Sequence, residues 1–472
     1  MAETQALSVL DLAFFVLESK TRMSNIGPLA ILQVPAGSGG PRRFADRLMR
    51  EMKKRSVGAP FNRRYRAPGL KGLPCLETVD GIDLDAHCHR ITLQGPATDK
   101  QLFEAVCRLH EERLDRKGPP WAFYVIDGLA GRRIALYAKV HHGIIDGKGF
   151  VEVCTGWFST DSADTSVRAI WEGLPQRRRS ERPTKTALAE AGALAAQATR
   201  AVKSTLSLYS ALSRQALASA KLTAGLPLPF VGTPASLRSP PSVRRSFAYC
   251  VLPLAEMKAF GKAHNASVND VLLTVLDMAL TRYLADKGQP ENSRPLVADM
   301  PVALKREEGR GGGNSIAILQ FPLGTPGASP LGRLAQIRQR TVEVKHHVGK
   351  TDASALVTYT AAVHGIPALL EALGVPRAPL LANMLVSNPF GLPERRYLAG
   401  AAVEMALPVA VLAPGQSLNI TAVTYDQGLQ IAFLGIEQEL PDIQQIADFT
   451  VEAFEQLRAA APKVRKAKPM ST

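Results

Sequence analysis

The chain has 472 residues, 46% of them apolar and 21% charged, with a formal net charge of +15. That balance excludes a disordered chain, and no uncharged apolar run reaches the roughly 18 residues a bilayer-spanning helix needs. The length suits two domains of similar size, and five scattered cysteines (Cys75, Cys88, Cys107, Cys154, Cys250) with no Cys-x-x-Cys pair argue for reduced cytoplasmic thiols rather than a disulfide framework or zinc knuckle.

Met1-Ala2-Glu3-Thr4 has no basic segment ahead of an apolar stretch, so no secretory leader is expected. Leu7, Leu10, Leu12, Phe15 and Leu17 suit a short helix, and Pro28 to Val34 reads as a strand. Phe44, Leu48 and Met52 recur four apart with Arg43, Arg47, Arg50 and Lys54 between them, which predicts an amphipathic surface helix with a basic outer face. Leu102, Phe103, Val106 and Leu109 predict another, closed before Gly118-Pro119-Pro120 because proline cannot continue it. Ile134, Leu136, Ala138 and Val140 alternate with Arg133, Tyr137 and Lys139, the pattern of a strand with one buried face. Phe150, Val151, Cys154, Trp157 and Phe158 then return to helical spacing, completing an N-terminal domain over 1–175.

Residues 176–241 change in composition. Arg177-Arg178-Arg179 leads into an Ala-rich stretch from Thr184 to Leu222, a strong helix former, and then into a proline-rich run to Pro241. This reads as a crossover linker whose helix packs across both domains or lies on a membrane surface. A C-terminal domain over 242–460 carries candidate strands at Phe247–Leu254, Leu296–Leu304, Ile316–Leu323, Met384–Ser387, Val409–Leu412, Asn419–Thr424 and Gln430–Leu434. Its helices are expected at Val268–Leu284 and Asp442–Leu457, the first opened by Ser267-Val268-Asn269-Asp270 with capping-box spacing. Residues 461–472, with Lys463, Arg465, Lys466 and Lys468, form a basic tail without apolar period. Both halves mix strands and helices, so the fold class is α/β (α+β). The basic clusters attract polyanions, but no helix-turn-helix, zinc or aromatic stacking motif points to nucleic acid.

The chemistry concentrates where the strand ending at Val140 gives way to a turn: His141-His142-Gly143-Ile144-Ile145-Asp146-Gly147. Strand parity places His142 on the face of Val140, and an imidazole there can take a proton from a hydroxyl near neutral pH. Asp146 suits a structural role at the turn and Gly147 the entry to the next helix. A metal reading of His142 and Asp146 lacks a third ligand. His346-His347 has no Asp-Gly at the same distance and reads as ordinary surface.

His141 to Gly147 resembles the active-site signature of the coenzyme A-dependent acyltransferase superfamily, and its surroundings resemble the bacterial wax ester synthase/acyl-CoA:diacylglycerol acyltransferase family from Leu7 to about Leu457. The supporting pieces, in order, are Leu10-Asp11 through Leu17-Glu18-Ser19, Asp83 to His87, Leu114-Asp115-Arg116, Pro119 with Trp121, Val268-Asn269-Asp270-Val271, Met300-Pro301-Val302, Gly313-Asn314, Ser387-Asn388 and Leu418 to Thr421. The resemblance implies two chloramphenicol-acetyltransferase-like domains with a tunnel between them. It implies acyl-CoA as co-substrate, diacylglycerol or a fatty alcohol as acceptor, no permanently bound cofactor and no metal. His142 would be the general base, with His141 supporting it and no acyl-enzyme formed. Asn269, Asp270, Trp121, Ser387 and Asn388 would bind substrate or support the site. Peripheral contact with the inner membrane surface or lipid inclusions follows from such substrates. Departures from the family pattern at Arg22-Met23-Ser24-Asn25-Ile26-Gly27, Pro120, Lys305 and Pro389-Phe390-Gly391 bear on substrate choice or activity. Alternatives are an enzyme for another alcohol, a condensation-domain-like enzyme, or a non-catalytic lipid-surface binding protein on the same scaffold.

Overall fold

Three helix starts are written alike. Ser8 with Asp11, Thr98 with Gln101 and Ser267 with Asp270 each form a reciprocal capping box, the side chain of each residue bonding the other's backbone N–H, so two orphan donors of the first turn are satisfied at once. In the computed structural model of the chain, residues 4–67, 74–174, 229–289, 294–304, 316–375, 380–389 and 391–461 are described. The Ala-rich part of the crossover, Lys305, Gly313-Asn314, Phe390 and the basic tail beyond Ala461 lie outside them.

The first half runs β1 (Thr4–Ala6), α1 (Val9–Leu17), β2 (Asn25–Gln33), α2 (Pro41–Met52), β3 (Arg63–Arg66), β4 (Cys75–Thr78), α3 (Leu84–His87), β5 (Cys88–Ala97), α4 (Asp99–Glu111), β6 (Trp121–Leu129), β7 (Arg133–His141) and α5 (Gly147–Trp157). The second runs β8 (Arg245–Pro253), α6 (Leu254–Ala263), α7 (Val268–Asp286), β9 (Val297–Ala303), β10 (Ile316–Pro322), α8 (Pro330–Lys350), α9 (Ala353–Ala372), β11 (Met384–Ser387), β12 (Tyr397–Leu398), β13 (Ala401–Val409), β14 (Leu418–Tyr425), β15 (Gly428–Ile436) and α10 (Gln444–Ala459). Two six-stranded mixed sheets carry the two halves, ordered β12-β13-β2-β7-β6-β5 and β10-β9-β11-β14-β15-β8. The expectation of two mixed α/β domains is met.

The hairpin β12–β13 belongs to the second half in sequence but extends the first sheet, β13 pairing antiparallel with β2 from Ala402 opposite Gln33 to Val409 opposite Gly27. The strand expected at Val409–Leu412 therefore ends where it was expected to begin. A bulge between Val403 and Met405, with Glu404 and Pro408 in the run, breaks the alternation that would have announced it.

β7 also departs from expectation, because both its faces are buried from Ile134 to His141. Ile134, Leu136, Ala138 and Val140 join the core that includes Phe44, Trp121, Trp157 and Trp171. Ala135 and Tyr137 face a second core, shared with Phe247, Leu407, Val409 and Leu434 of the other half. Lys139 is buried as well; its ammonium donates to the carbonyls of Leu109 (2.6 Å) and Glu112 (3.1 Å), and burial pulls its pKa down to about 8. A lysine that satisfies its donors on helix-end carbonyls can lie inside a sheet that the sequence pattern makes look half exposed.

Candidate active site

His142 lies one residue beyond β7. Its backbone N–H donates to the Ser24 carbonyl (2.7 Å) and that of His141 to the Pro120 carbonyl (3.0 Å), so strands β2 and β6 fix the pair from either side. Two consecutive aromatics of α1 cover the two imidazoles: Phe14 stacks on His142 with ring centroids 4.1 Å apart, and Phe15 stacks on His141 at 4.1 Å. Between them Gly143 passes so close to α1 that a Cβ there would stand 2.4 Å from Phe15 Cε2 and 3.0 Å from the Asp11 carbonyl. Gly147 has open space where its Cβ would go, so the steric demand for glycine falls on Gly143 and not on the glycine expected to serve the turn.

The two histidines are held differently. His141 is fully buried; its Nδ1 accepts from the Gly143 N–H (3.1 Å), which leaves the proton on Nε2, 3.8 Å from Glu18 Oε1. Glu18 is itself anchored by Arg113 (3.0 Å), by Arg116 and by the Ser24 N–H (3.2 Å). Burial, then the neighbouring Arg116, holds the His141 imidazole well below its ordinary pKa, so it stays neutral. His142 is only partly buried, with a buried Nδ1 that finds no hydrogen-bond partner on another residue. Burial lowers its pKa too, opposed by its own backbone carbonyl and then by the carboxylates of Asp11 and Asp146. The outcome is a neutral ring whose Nδ1 edge is turned into the protein and whose Nε2 makes no hydrogen bond among the described residues.

Asp146 N-caps α5, Oδ1 accepting from the Gly149 N–H at 2.7 Å. Trp121 is a core anchor: its indole donates to the Phe61 carbonyl (2.8 Å) and its ring stacks between His87 and Trp171. In the second half, Asn388 donates to Asn269 Oδ1 at 2.5 Å, joining the residue after β11 to the first turn of α7, while Ser387 pairs with Thr421 across β11 and β14. Asp270 Oδ2 accepts from the Ser267 N–H and hydroxyl, both at 2.8 Å, and its buried Oδ1 is unpaired. Of these second-half residues only Asn269 and Asn388 bond each other, and among the described residues none of their hydrogen bonds reaches His142. The halves do touch beside it: Arg22, two residues before Ser24, pairs with Glu371 of α9, and α1 packs on α9. Among the described residues no cluster of histidine, cysteine and carboxylate side chains could hold a metal ion. A cavity of about 560 Å3 beside α5, lined by Gly58, Asn62, Trp157, Arg168 and Glu172, includes none of the His141–Gly147 residues.

Residues 7–272 match the model of the wax ester synthase/diacylglycerol acyltransferase catalytic domain, and residues 312–458 match that family's C-terminal domain. The chain belongs to the wax ester synthase/diacylglycerol acyltransferase family. A putative diacylglycerol O-acyltransferase of Mycobacterium tuberculosis is 32% identical over 98% of either chain. A second protein of that organism, a probable diacylglycerol O-acyltransferase, is 31% identical over 96% of this chain and 97% of its own. The wax ester synthase/diacylglycerol acyltransferase from Marinobacter aquaeolei VT8 superposes with a TM-score of 0.71 at 24% identity, covering 96% of this chain and 99% of that one. The starter condensation domain of rhizomide synthetase shares the fold at a TM-score of 0.54 and 16% identity, over 95% of this chain and 94% of that one. The protein is thus an acyltransferase of this family. Glu18, which sequence reasoning passed over except as part of a motif, is a buried acid that joins the Ser24 N–H to Arg113 and Arg116 beside His141. Its only advance signal is a carboxylate one residue past an apolar helix.

Proposed function

We propose that this acyltransferase moves an acyl group from acyl-CoA to the free hydroxyl of diacylglycerol, with His142 as general base. The observation that carries the reading is the neutral His142 imidazole, stacked under Phe14 with its Nδ1 buried and unpaired, in a chain whose relatives over nearly full length bear that activity in their names. Nε2 takes the hydroxyl proton as the oxygen attacks the thioester carbonyl carbon. The tetrahedral intermediate then collapses, the carbon–sulfur bond breaks, and the imidazolium returns its proton to the departing thiolate. No acyl-enzyme is needed, because both reacting groups meet at one base. His141, through its Nδ1 bond from the Gly143 N–H, holds the turn in register; Asp146 serves as the cap of α5, and Trp121 anchors the Pro120–His141 contact. Asn269, Asp270, Ser387 and Asn388 form the opposing, second-half side of a tunnel that would admit the two substrates.

The test is release of free coenzyme A from palmitoyl-CoA by the purified protein with diacylglycerol or hexadecanol, beside His142→Ala. Diacylglycerol-dependent release that falls by about 10²–10⁴-fold in the variant is expected. Release with hexadecanol alone would assign a wax ester synthase, and an active His142→Ala would remove the base from the scheme.

A further inference from the structure

α9 is apolar on its exposed side as well as its buried one, so its outer side lacks the charged residues an exposed face normally carries. Its inner face is packed: Ala355, Leu356, Tyr359, Thr360 and Val363 are buried, several against Ala317 and Leu319 of β10. Its outer face is Ala362, Ile366, Leu369 and, on the turn continued by the Leu373 N–H to Leu369 carbonyl bond, Leu373, a spacing of four, seven and eleven that keeps one side of the helix. Ile366 is 48% exposed, Leu369 54% and Leu373 70%. The helix has one imidazole and one carboxylate, and neither breaks the stripe: His364 turns its Nε2 to Asp299 Oδ1 at 3.3 Å, and Glu371 pairs with Arg22. Val16, 63% exposed, lies on α1, the helix that packs against α9 and lays Phe14 on His142.

A face like this calls for a particular occupant. Its apolar patch is on the order of a few hundred Å2, short of the roughly 800 Å2 per partner that a stable protein interface buries. For a lipid layer the same stripe suffices, because an apolar helix face sunk at the headgroup boundary gains from its area without needing a matching surface. The chain's net charge of +15 favours an anionic layer. The stripe's helix also packs on the helix that clamps the reacting base, so a layer against it would bring a lipid acceptor to the site. We propose that the outer face of α9, with Val16 of α1, is the surface by which this enzyme lies on the phospholipid layer that holds its acceptor. The inference rests on the diacylglycerol reading for its purpose, but the surface can be tested apart from it.

The probe is a suspension of phosphatidylcholine–phosphatidylglycerol vesicles carrying diacylglycerol, with the full-length protein, its Leu369→Asp/Leu373→Asp variant, and Val451→Asp on α10 as an exposed apolar control. The double variant is expected to co-sediment at least about tenfold more weakly while Val451→Asp binds as wild type. Transfer from a short-chain acyl-CoA to a water-soluble alcohol should stay within about twofold of wild type in the double variant. Leu373→Trp should shift its emission to the blue when vesicles are added, a readout that does not depend on the aspartates being tolerated. Equal vesicle binding by the double variant, an unshifted tryptophan, or equal loss in Val451→Asp would overturn the proposal. So would a wild-type dimer that the double variant splits, which would assign the stripe to a second copy. If wild type binds vesicles through the stripe but releases no coenzyme A with diacylglycerol, the acceptor reading fails and the surface stands.

Discussion

Gly143→Ala tests whether α1 positions the base. The added Cβ would sit 2.4 Å from Phe15 Cε2, about 1 Å inside ordinary contact. Phe15 cannot swing aside, being buried and stacked on both His141 (4.1 Å) and Tyr65 (4.3 Å). The Asp11 carbonyl, 3.0 Å from the same Cβ, blocks the other escape, so α1 itself must move, carrying Phe14 off His142. A displacement near 1 Å at a reacting group costs on the order of 10²-fold, so kcat/KM should fall about 10- to 100-fold, or roughly 1.4–2.8 kcal/mol of transition-state stabilisation. Overpacking should also lower unfolding free energy by about 1–3 kcal/mol. The assay is coenzyme A release together with urea denaturation, run as a cycle with Phe15→Leu, which opens space where the Cβ intrudes. The double variant should recover part of the lost rate, a non-additive result expected only of residues in contact. A Gly143→Ala enzyme with wild-type kinetics, or a double variant no faster than the sum of the single losses predicts, would refute the account.

Because burial holds His142 below the ordinary imidazole value of 6.5, it is already an available base at neutral pH, and the acid limb of kcat/KM should fall below pH 6.5; a limb at or above that value in a full pH–rate profile would contradict the desolvated site. His110 bears on stability. Its Nε2 donates to the Ala410 carbonyl (3.0 Å) and its Nδ1 accepts from Tyr137 (2.7 Å), and burial depresses its pKa to about 3. Between pH 7 and 5 the unfolded chain therefore takes up a proton that the folded chain refuses, so stability present above 6.5 is lost as pH falls, by about 2 kcal/mol for this residue. Urea titrations at both pH values should show that loss reduced by a similar amount in His110→Gln, and an unchanged pH dependence would show that His110 does not supply it.

Several helices were legible: α2, α4 and α5 appear where the spacings from Phe44, Leu102 and Phe150 place them, and α7 and α10 within about two residues of the ranges expected at Val268–Leu284 and Asp442–Leu457. Ser267 and Asp270 make the reciprocal bonds expected of them. β6 was missed because it is buried along nearly its whole length, and a continuous apolar run such as Trp121 to Ile126 has no period to read. α8 and α9 escaped for the opposite reasons: α8 is rich in charge with a narrow apolar seam, and α9 is apolar on its exposed face as well as its buried one, so neither shows one sharp stripe. At the site, sequence reading placed the His141–Gly147 turn between strand and helix and the acid of Asp146 in a structural position, which is where its carboxylate caps α5. It had no means of seeing Phe14, Phe15 or Glu18 around the histidines. Those contacts join residues more than a hundred positions apart, and only the pairing of β2 with β7 brings them together.

That pairing explains why the setting of His142 depends on both halves of the chain. β2 has β7 on one side and β13 on the other, so the strand leading out of the Ser24 contact is central only because a hairpin from the second half completes the sheet. Gly27 shows how tightly the layers are set, since a Cβ there would fall 1.6 Å from the Ala138 carbonyl oxygen; the two backbones close on each other just before β7 delivers His141 and His142. The Ser24 carbonyl that receives the His142 N–H thus hangs from a strand clamped between one neighbour of its own half and one of the other. Arg22 extends the same segment to Glu371 on α9, and the Glu371 carboxylate also accepts from the Gly415 N–H (3.3 Å). If His142 is the base proposed above, its anchoring through Ser24 and Arg22 ties proton abstraction to the folding of the second half onto the first.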